Sequence, residues 1–123
     1  MQQASLWIGP ALCALAVLAG AFGAHGLKAR LSPEALALWE TSARYLIYAG
    51  FGLTLLGLAA RQGARPGFGW AAAGMLVGAV IFSGTVAALA LGGPRWLGVV
   101  TPLGGLLLIL GFGMFAWTAF RLG

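Results

Sequence analysis

The sequence predicts an all-α fold: an integral membrane protein built as an antiparallel four-helix bundle, with a short interfacial helix before the second span. The 123 residues are 61% hydrophobic and only 7% charged, whereas charged residues make up about 25% of a soluble domain. A spanning helix needs about 20 apolar residues, and four stretches without charge approach or exceed that length. They cover residues 1–24, 45–60, 66–94 and 96–120. We therefore expect residues 1–123 to form a single transmembrane domain.

The element boundaries follow from these stretches and from helix-start signals. The predicted spans cover about residues 6–25, 43–60, 68–91 and 97–120, and the interfacial helix covers about residues 33–42. Ser32 is a suitable N-cap, Pro33 suits the first helical position, and Glu34 complements the N-terminal dipole. A helix from Pro33 to Ala60 would be ~42 Å long, which exceeds a hydrocarbon core of about 30 Å. Its first part is therefore expected to lie in the interface and to bend or continue into the span.

Two spans carry small residues at helical spacing, which lets a neighbouring helix approach closely. The predicted helix-packing residues are Ala16 and Gly20 in the first span and Gly74, Gly78 and Gly84 in the third. Short turns join the second span to the third and the third to the fourth, so neighbouring spans are expected to run antiparallel.

Antiparallel spans bring the polar residues of the chain to one membrane face. The predicted polar cluster consists of His25, Glu40, Arg44, Tyr48, Ser83, Arg95 and Thr101. Ionisable residues in a membrane are costly and mark functional sites, so His25 and Glu40 could form a proton-exchanging or ligand-binding pair oriented by Arg44. In the alternative, Glu40 and Arg44 form an ion pair four residues apart. His25 then caps the first helix at its negative end, with Gly26 as the left-handed residue after it.

The inventory of reactive side chains is small. The chain has neither Asp nor Asn, two Glu, one His and a single Cys13 inside the first span. No metal-ligand spacing such as HExxH occurs, and Ser83 does not lie in a Gly-x-Ser-x-Gly motif. We therefore predict no catalytic residue, cofactor or metal site, and we do not expect an enzyme. The net charge of +5 is spread over the loops, which suits anionic headgroups better than nucleic acid.

Four short stretches occur in order over nearly the whole chain: GAFGAHGL at 20–27, WETSARY at 39–45, FSGT at 82–85 and TPLGG at 101–105. With them the chain resembles the YgdD-like family of small four-span membrane proteins of unknown function. The resemblance implies a membrane fold and compartment, and it supplies no activity.

These observations predict a multi-pass protein of the bacterial plasma (inner) membrane with an unassigned molecular function. The leading hypothesis is a structural or accessory component that packs against a second copy or a larger membrane complex, with membrane lipids as its other partner. The alternative is a small oligomeric transporter or channel-like protein that uses the polar cluster. Basic residues divide almost evenly between the two faces, so the positive-inside rule does not select an orientation.

Overall fold

The structure, a computed structural model, describes residues 2–122. Its four α-helices are α1 (Ser5–Phe22), α2 (Pro33–Ala60), α3 (Pro66–Ala90) and α4 (Leu97–Leu122), and no strand occurs among these residues. Each helix is long and apolar enough to cross a membrane. The prediction of an all-α protein with four membrane-spanning helices is confirmed.

The end of α1 differs from the prediction. The chain does not turn left-handed at Gly26, which has no positive φ, but continues through a π-helical turn over Gly23–Leu27. A Cβ on Gly26 would lie 2.8 Å from Cε1 of Phe22, so the missing side chain makes room for this ring. The Phe22 ring in turn packs edge-on against Trp39, with the ring centroids 6.3 Å apart.

The segment before the second span is not a separate helix. The Ser32 hydroxyl accepts a hydrogen bond from the Ala35 backbone N–H at 3.1 Å, and Pro33 occupies the first turn. From there α2 runs unbroken to Ala60. Residues 33–42 are rich in Ala, Leu and Glu, which favour helix, so nothing in the local sequence interrupts the helix where an interfacial segment would end.

The helices pack mainly in chain order. The most extensive contact joins α3 and α4, followed by α1 with α2 and α2 with α3, whereas α2 and α4 meet at few positions. Among residues 2–122, α1 and α4 form no extended contact and flank the central α2–α3 pair. The main core lies between the flanking helices and is centred on Leu53, Leu56, Phe68 and Met75, whose exposed fractions are 0–1%.

Glycines set the separation of α3 and α4. A Cβ on Gly78 would lie 2.7 Å from the Leu108 nitrogen and 2.8 Å from the Gly104 oxygen, and one on Gly74 would lie 3.2 Å from the Gly111 Cα. Because the nearest atoms are mostly backbone, side-chain rotation could not make room. The two helix backbones therefore approach closely only because these positions carry no side chain.

The other predicted packing residues divide into two groups. Ala16 is buried and belongs to a core cluster with Ala49 of α2. Around Gly20 and Gly84, in contrast, a Cβ would meet nothing within 4 Å, since both lie on faces turned away from the neighbouring helices. Within residues 2–122 these two glycines pack against no other helix. Their contact with another molecule stays a prediction.

Candidate functional site

The ends of α1 and α3 and the starts of α2 and α4 lie at one membrane face, and the four sequence motifs meet there. Ser42 of α2 and Ser83 of α3 form a reciprocal pair: the Ser42 hydroxyl donates to the Ser83 carbonyl at 2.7 Å, and the Ser83 hydroxyl donates to the Ser42 carbonyl at 2.9 Å. Both residues are buried. A buried hydroxyl is costly unless it is hydrogen-bonded, so each serine satisfies itself by joining the two helices.

A second hydroxyl contact joins α3 to α4. The Oγ1 atoms of Thr85 and Thr101 lie 2.6 Å apart, and they also approach the carbonyls of Ile81 at 2.7 Å and Leu97 at 3.0 Å, respectively. Each hydroxyl can donate only one hydrogen bond, so at most two of these three contacts are hydrogen bonds at any moment. The arrangement links the two helices whichever threonine donates across the interface.

Trp39 attaches the start of α2 to the end of α1. Its indole Nε1–H donates to the Ala19 carbonyl at 2.7 Å, and its Cδ1 lies 2.6 Å from the position that a Cβ on Gly23 would occupy. Gly23 opens the π-helical turn, so a side chain there would displace the indole. The glycine of the first motif and the tryptophan of the second therefore form one contact.

The predicted polar cluster is only partly assembled. His25, Glu40, Arg44, Tyr48 and Arg95 are exposed, and none of their side chains makes a hydrogen bond within residues 2–122. Neither of the hydrogen-bonded pairs considered for Glu40, with His25 or with Arg44, is formed.

Helix geometry explains why Glu40 and Arg44 point away from the serine pair. At 3.6 residues per turn, residues two positions apart point about 200° from each other. Glu40 and Arg44 each lie two positions from Ser42, whose side chain faces α3. They therefore project from the outer side of α2. Ser83 and Thr101 are the two members of the cluster that lie in interhelical contacts.

The nearest groove is apolar and does not collect the cluster. It has a volume of about 570 Å³ and lies between α2 and α4, lined by Tyr45, Phe82, Leu108 and Phe112 among others, and Tyr48 is the one member of the cluster that reaches it. The Tyr45 ring packs on Phe82 at a centroid distance of 4.7 Å.

Among residues 2–122, no group of three or more His, Cys, Asp or Glu side chains could hold a metal ion.

Several residues of this site were not predicted from the sequence. They are Trp39, Ser42, Thr85, Gly104 and Gly111, which make helix-joining contacts. Two signals were available: hydroxyl residues inside the quoted motifs, and two glycines seven positions apart in α4. Neither signal identifies the partner helix, so the contacts themselves required the folded structure.

The fold and the site define a small integral membrane protein whose buried hydroxyl and indole groups join its four helices. A family model described as a protein of unknown function, DUF423, matches residues 19–105. The chain belongs to the DUF423 family.

Similar proteins named UPF0382 membrane proteins occur in several bacteria. One from Staphylococcus haemolyticus is 40% identical over 112 residues, which cover 90% of this chain and 91% of the relative. YwdK from Bacillus subtilis is 35% identical over 111 residues, covering 87% and 88% of the two chains. No solved structure matches the chain. The matched family segment begins at Ala19, the acceptor of the Trp39 indole, and it includes the serine and threonine contacts.

Proposed function

We propose that this protein is a non-enzymatic structural or accessory component of the bacterial plasma membrane, and that it acts by associating with a second copy or a larger membrane complex. The YgdD-like grouping indicated by its motifs is part of this proposal. One observation carries it: four of the six hydroxyl groups in the motifs and the Trp39 indole are engaged in joining helices, while the ionisable side chains at the same face are exposed.

Catalysis and transport each need a feature that this arrangement does not supply. A general acid–base site needs converging groups within hydrogen-bond reach of a reacting atom. Here His25 and Glu40 are exposed and not bonded to each other. A transport path through a single chain needs polar groups along its interior. Here the centre is filled by fully buried Leu53, Phe68 and Met75.

Association is supported by outward-facing glycines within the family segment. Gly20 and Gly84 belong to the matched region 19–105 and face open space, so a helix from another molecule could approach them closely. Gly113 also faces open space but lies outside the matched region. The bacterial relatives named as membrane proteins support a plasma-membrane location.

Native mass spectrometry of the protein extracted from its own membranes in a mild detergent tests the proposal. We expect a dimer or a heavier assembly. Gly84→Leu should reduce the assembled fraction several-fold because an isobutyl group holds the helices apart, whereas Gly113→Leu should leave it unchanged. A monomer from native membranes, together with no cross-linked species in intact cells, would refute the proposal. Equal effects of the two variants would show that Gly84 is not part of the association contact.

A further inference from the structure

A groove of about 380 Å³ opens at the opposite membrane face, between the start of α3 and the end of α4. The residues that line this groove include Arg65, Gly67, Trp70, Trp117, Thr118 and Arg121. The two acidic side chains of the sequence, Glu34 and Glu40, lie in the first turns of α2 at the other membrane face. The groove therefore contains two guanidinium groups and no carboxylate side chain.

The start of α3 adds backbone donors to this charge. Arg65 is the N-cap residue, and its guanidinium makes no hydrogen bond within residues 2–122, so its donors are available to an external anion. The Arg65 backbone N–H donates to Oε1 of Gln2 at 3.1 Å, which ties the entry to the helix in place. The N–H of Gly67 lies in the first turn, where helices leave amide donors without intrahelical acceptors. The helix dipole there also favours negative charge.

Thr118 supplies an independent sign of a ligand. The residue is only 7% exposed, yet its hydroxyl makes no hydrogen bond to any part of residues 2–122. It lines the groove, and a Cβ on Gly67 would collide with its Oγ1. Oγ1 is not among the fully buried atoms that lack a partner, so the hydroxyl is accessible from the groove. The hydroxyl has one proton to donate, and the two guanidinium groups that line the groove with it are donors, so an anionic acceptor would satisfy all three groups.

An apolar groove continues from this polar end toward the membrane centre. It has a volume of about 420 Å³, shares Trp70 and Met114 with the polar groove, and runs along α3 and α4 between Val77 and Leu110. It passes over Gly74 and Gly111, where the missing side chains let the two helices approach closely. A free phosphate would leave this surface uncovered, whereas an acyl chain would cover it.

We propose that the two grooves together bind one anionic phospholipid. The phosphate is held by the guanidinium groups of Arg65 and Arg121, the Gly67 amide and the Thr118 hydroxyl. An acyl chain lies in the apolar groove. The Trp117 ring orients Arg121, whose guanidinium carbon lies 5.9 Å from the ring centroid. This site is independent of the association proposed above, since it uses the opposite membrane face.

Native mass spectrometry of the full chain in detergent micelles, titrated with dioleoyl phosphatidylglycerol, tests the site. The wild type should bind one molecule with an affinity about tenfold above that for dioleoyl phosphatidylcholine. Arg65→Gln combined with Arg121→Gln should lower the affinity about tenfold or more, because charge-assisted hydrogen bonds to phosphate are lost. Arg61→Gln combined with Arg95→Gln removes the same net charge away from the groove and should change the affinity less than about twofold.

Two further variants test the Thr118 hydroxyl independently of the arginine charges. Thr118→Val keeps the shape and removes the donor, so the affinity should fall about threefold or more, whereas Thr118→Ser should retain it. If the wild type bound phosphatidylglycerol and phosphatidylcholine equally, this result alone would overturn the proposal. Equal losses from the two arginine pairs would also overturn it, since the effect would then be net charge alone. Displacement of the lipid by an excess of sodium phosphate would assign the site to free phosphate instead.

Discussion

Replacing Gly78 by alanine tests whether glycine holds α3 and α4 together. The added methyl group would lie 2.7 Å from the Leu108 nitrogen and 2.8 Å from the Gly104 oxygen. Gly113→Ala makes the same chemical change inside α4, but there the methyl group meets nothing within 4 Å. The two variants therefore share any change in helix propensity and differ in packing.

The expected magnitude follows from the displacement that the methyl group requires. An ordinary contact begins at 3.4 Å, so α4 must retreat by about 0.7 Å where it meets Gly78, and overpacking of this kind costs about 1–3 kcal/mol. Alanine is favoured over glycine within a helix by roughly 0.5–1 kcal/mol, which partly offsets the loss. Gly78→Ala should thus lower the free energy of unfolding by up to about 2.5 kcal/mol, and by about 1–3 kcal/mol relative to a glycine-to-alanine control that meets no neighbour. Gly113→Ala should raise it slightly or leave it unchanged.

Unfolding by sodium dodecyl sulfate in mixed micelles, followed by circular dichroism, measures this difference. The double replacement Gly74→Leu with Gly78→Leu should be far more damaging, because two isobutyl groups separate the helix backbones along a full turn. The reasoning is refuted if Gly78→Ala is as stable as Gly113→Ala. In that case α4 adapts without loss, and close backbone contact does not stabilise this helix pair.

Three further predictions concern the motif face. Ser42→Ala and Ser83→Ala should each lower the free energy of unfolding by about 0.6–1.7 kcal/mol, as interhelical hydrogen bonds in membranes do; unchanged stability would contradict a structural role for the pair. Trp39→Phe keeps an aromatic ring but removes the donor to α1, so amide exchange over Gly23–Leu27 should accelerate, and unaltered exchange would count against this contact. His25→Asn and Glu40→Gln should have additive effects on melting, within about 0.3–0.5 kcal/mol, since their side chains do not meet. A larger coupling would show that they interact.

The apolar stretches predicted the existence and order of the four spans because helix length is set by the thickness of the membrane. The helix start at Pro33 was also predicted, since Ser32 and Pro33 act through local geometry that their own backbone determines. The end of α1 was predicted wrongly at Gly26. There the decisive contact is with rings from Phe22 and Trp39, and the position of Trp39 depends on α2.

The candidate site was harder to predict because the sequence pointed to the charged residues, whereas uncharged hydroxyl groups make the interhelical contacts. The face at which polar residues gather follows from the antiparallel order of the spans. Which of them meet depends on the rotation of each helix about its axis, and in a membrane the hydrophobic effect between helices does not set this rotation. Close packing sets it instead. Ser42 and Ser83 therefore face each other, while Glu40 and Arg44 project outward.

The sequence by itself determined the class of this protein: four apolar helices, too little charge for a soluble fold, and a membrane family recognisable from four short motifs. Those properties depend on composition and on local geometry, which each segment carries with it. Only the tertiary structure decided what the glycines and hydroxyl residues do. Gly78 and Gly84 have the same local chemistry, yet one lies against the backbone of α4 and the other faces open space. The difference arises from which helix lies opposite each residue, and that is a property of the assembled bundle.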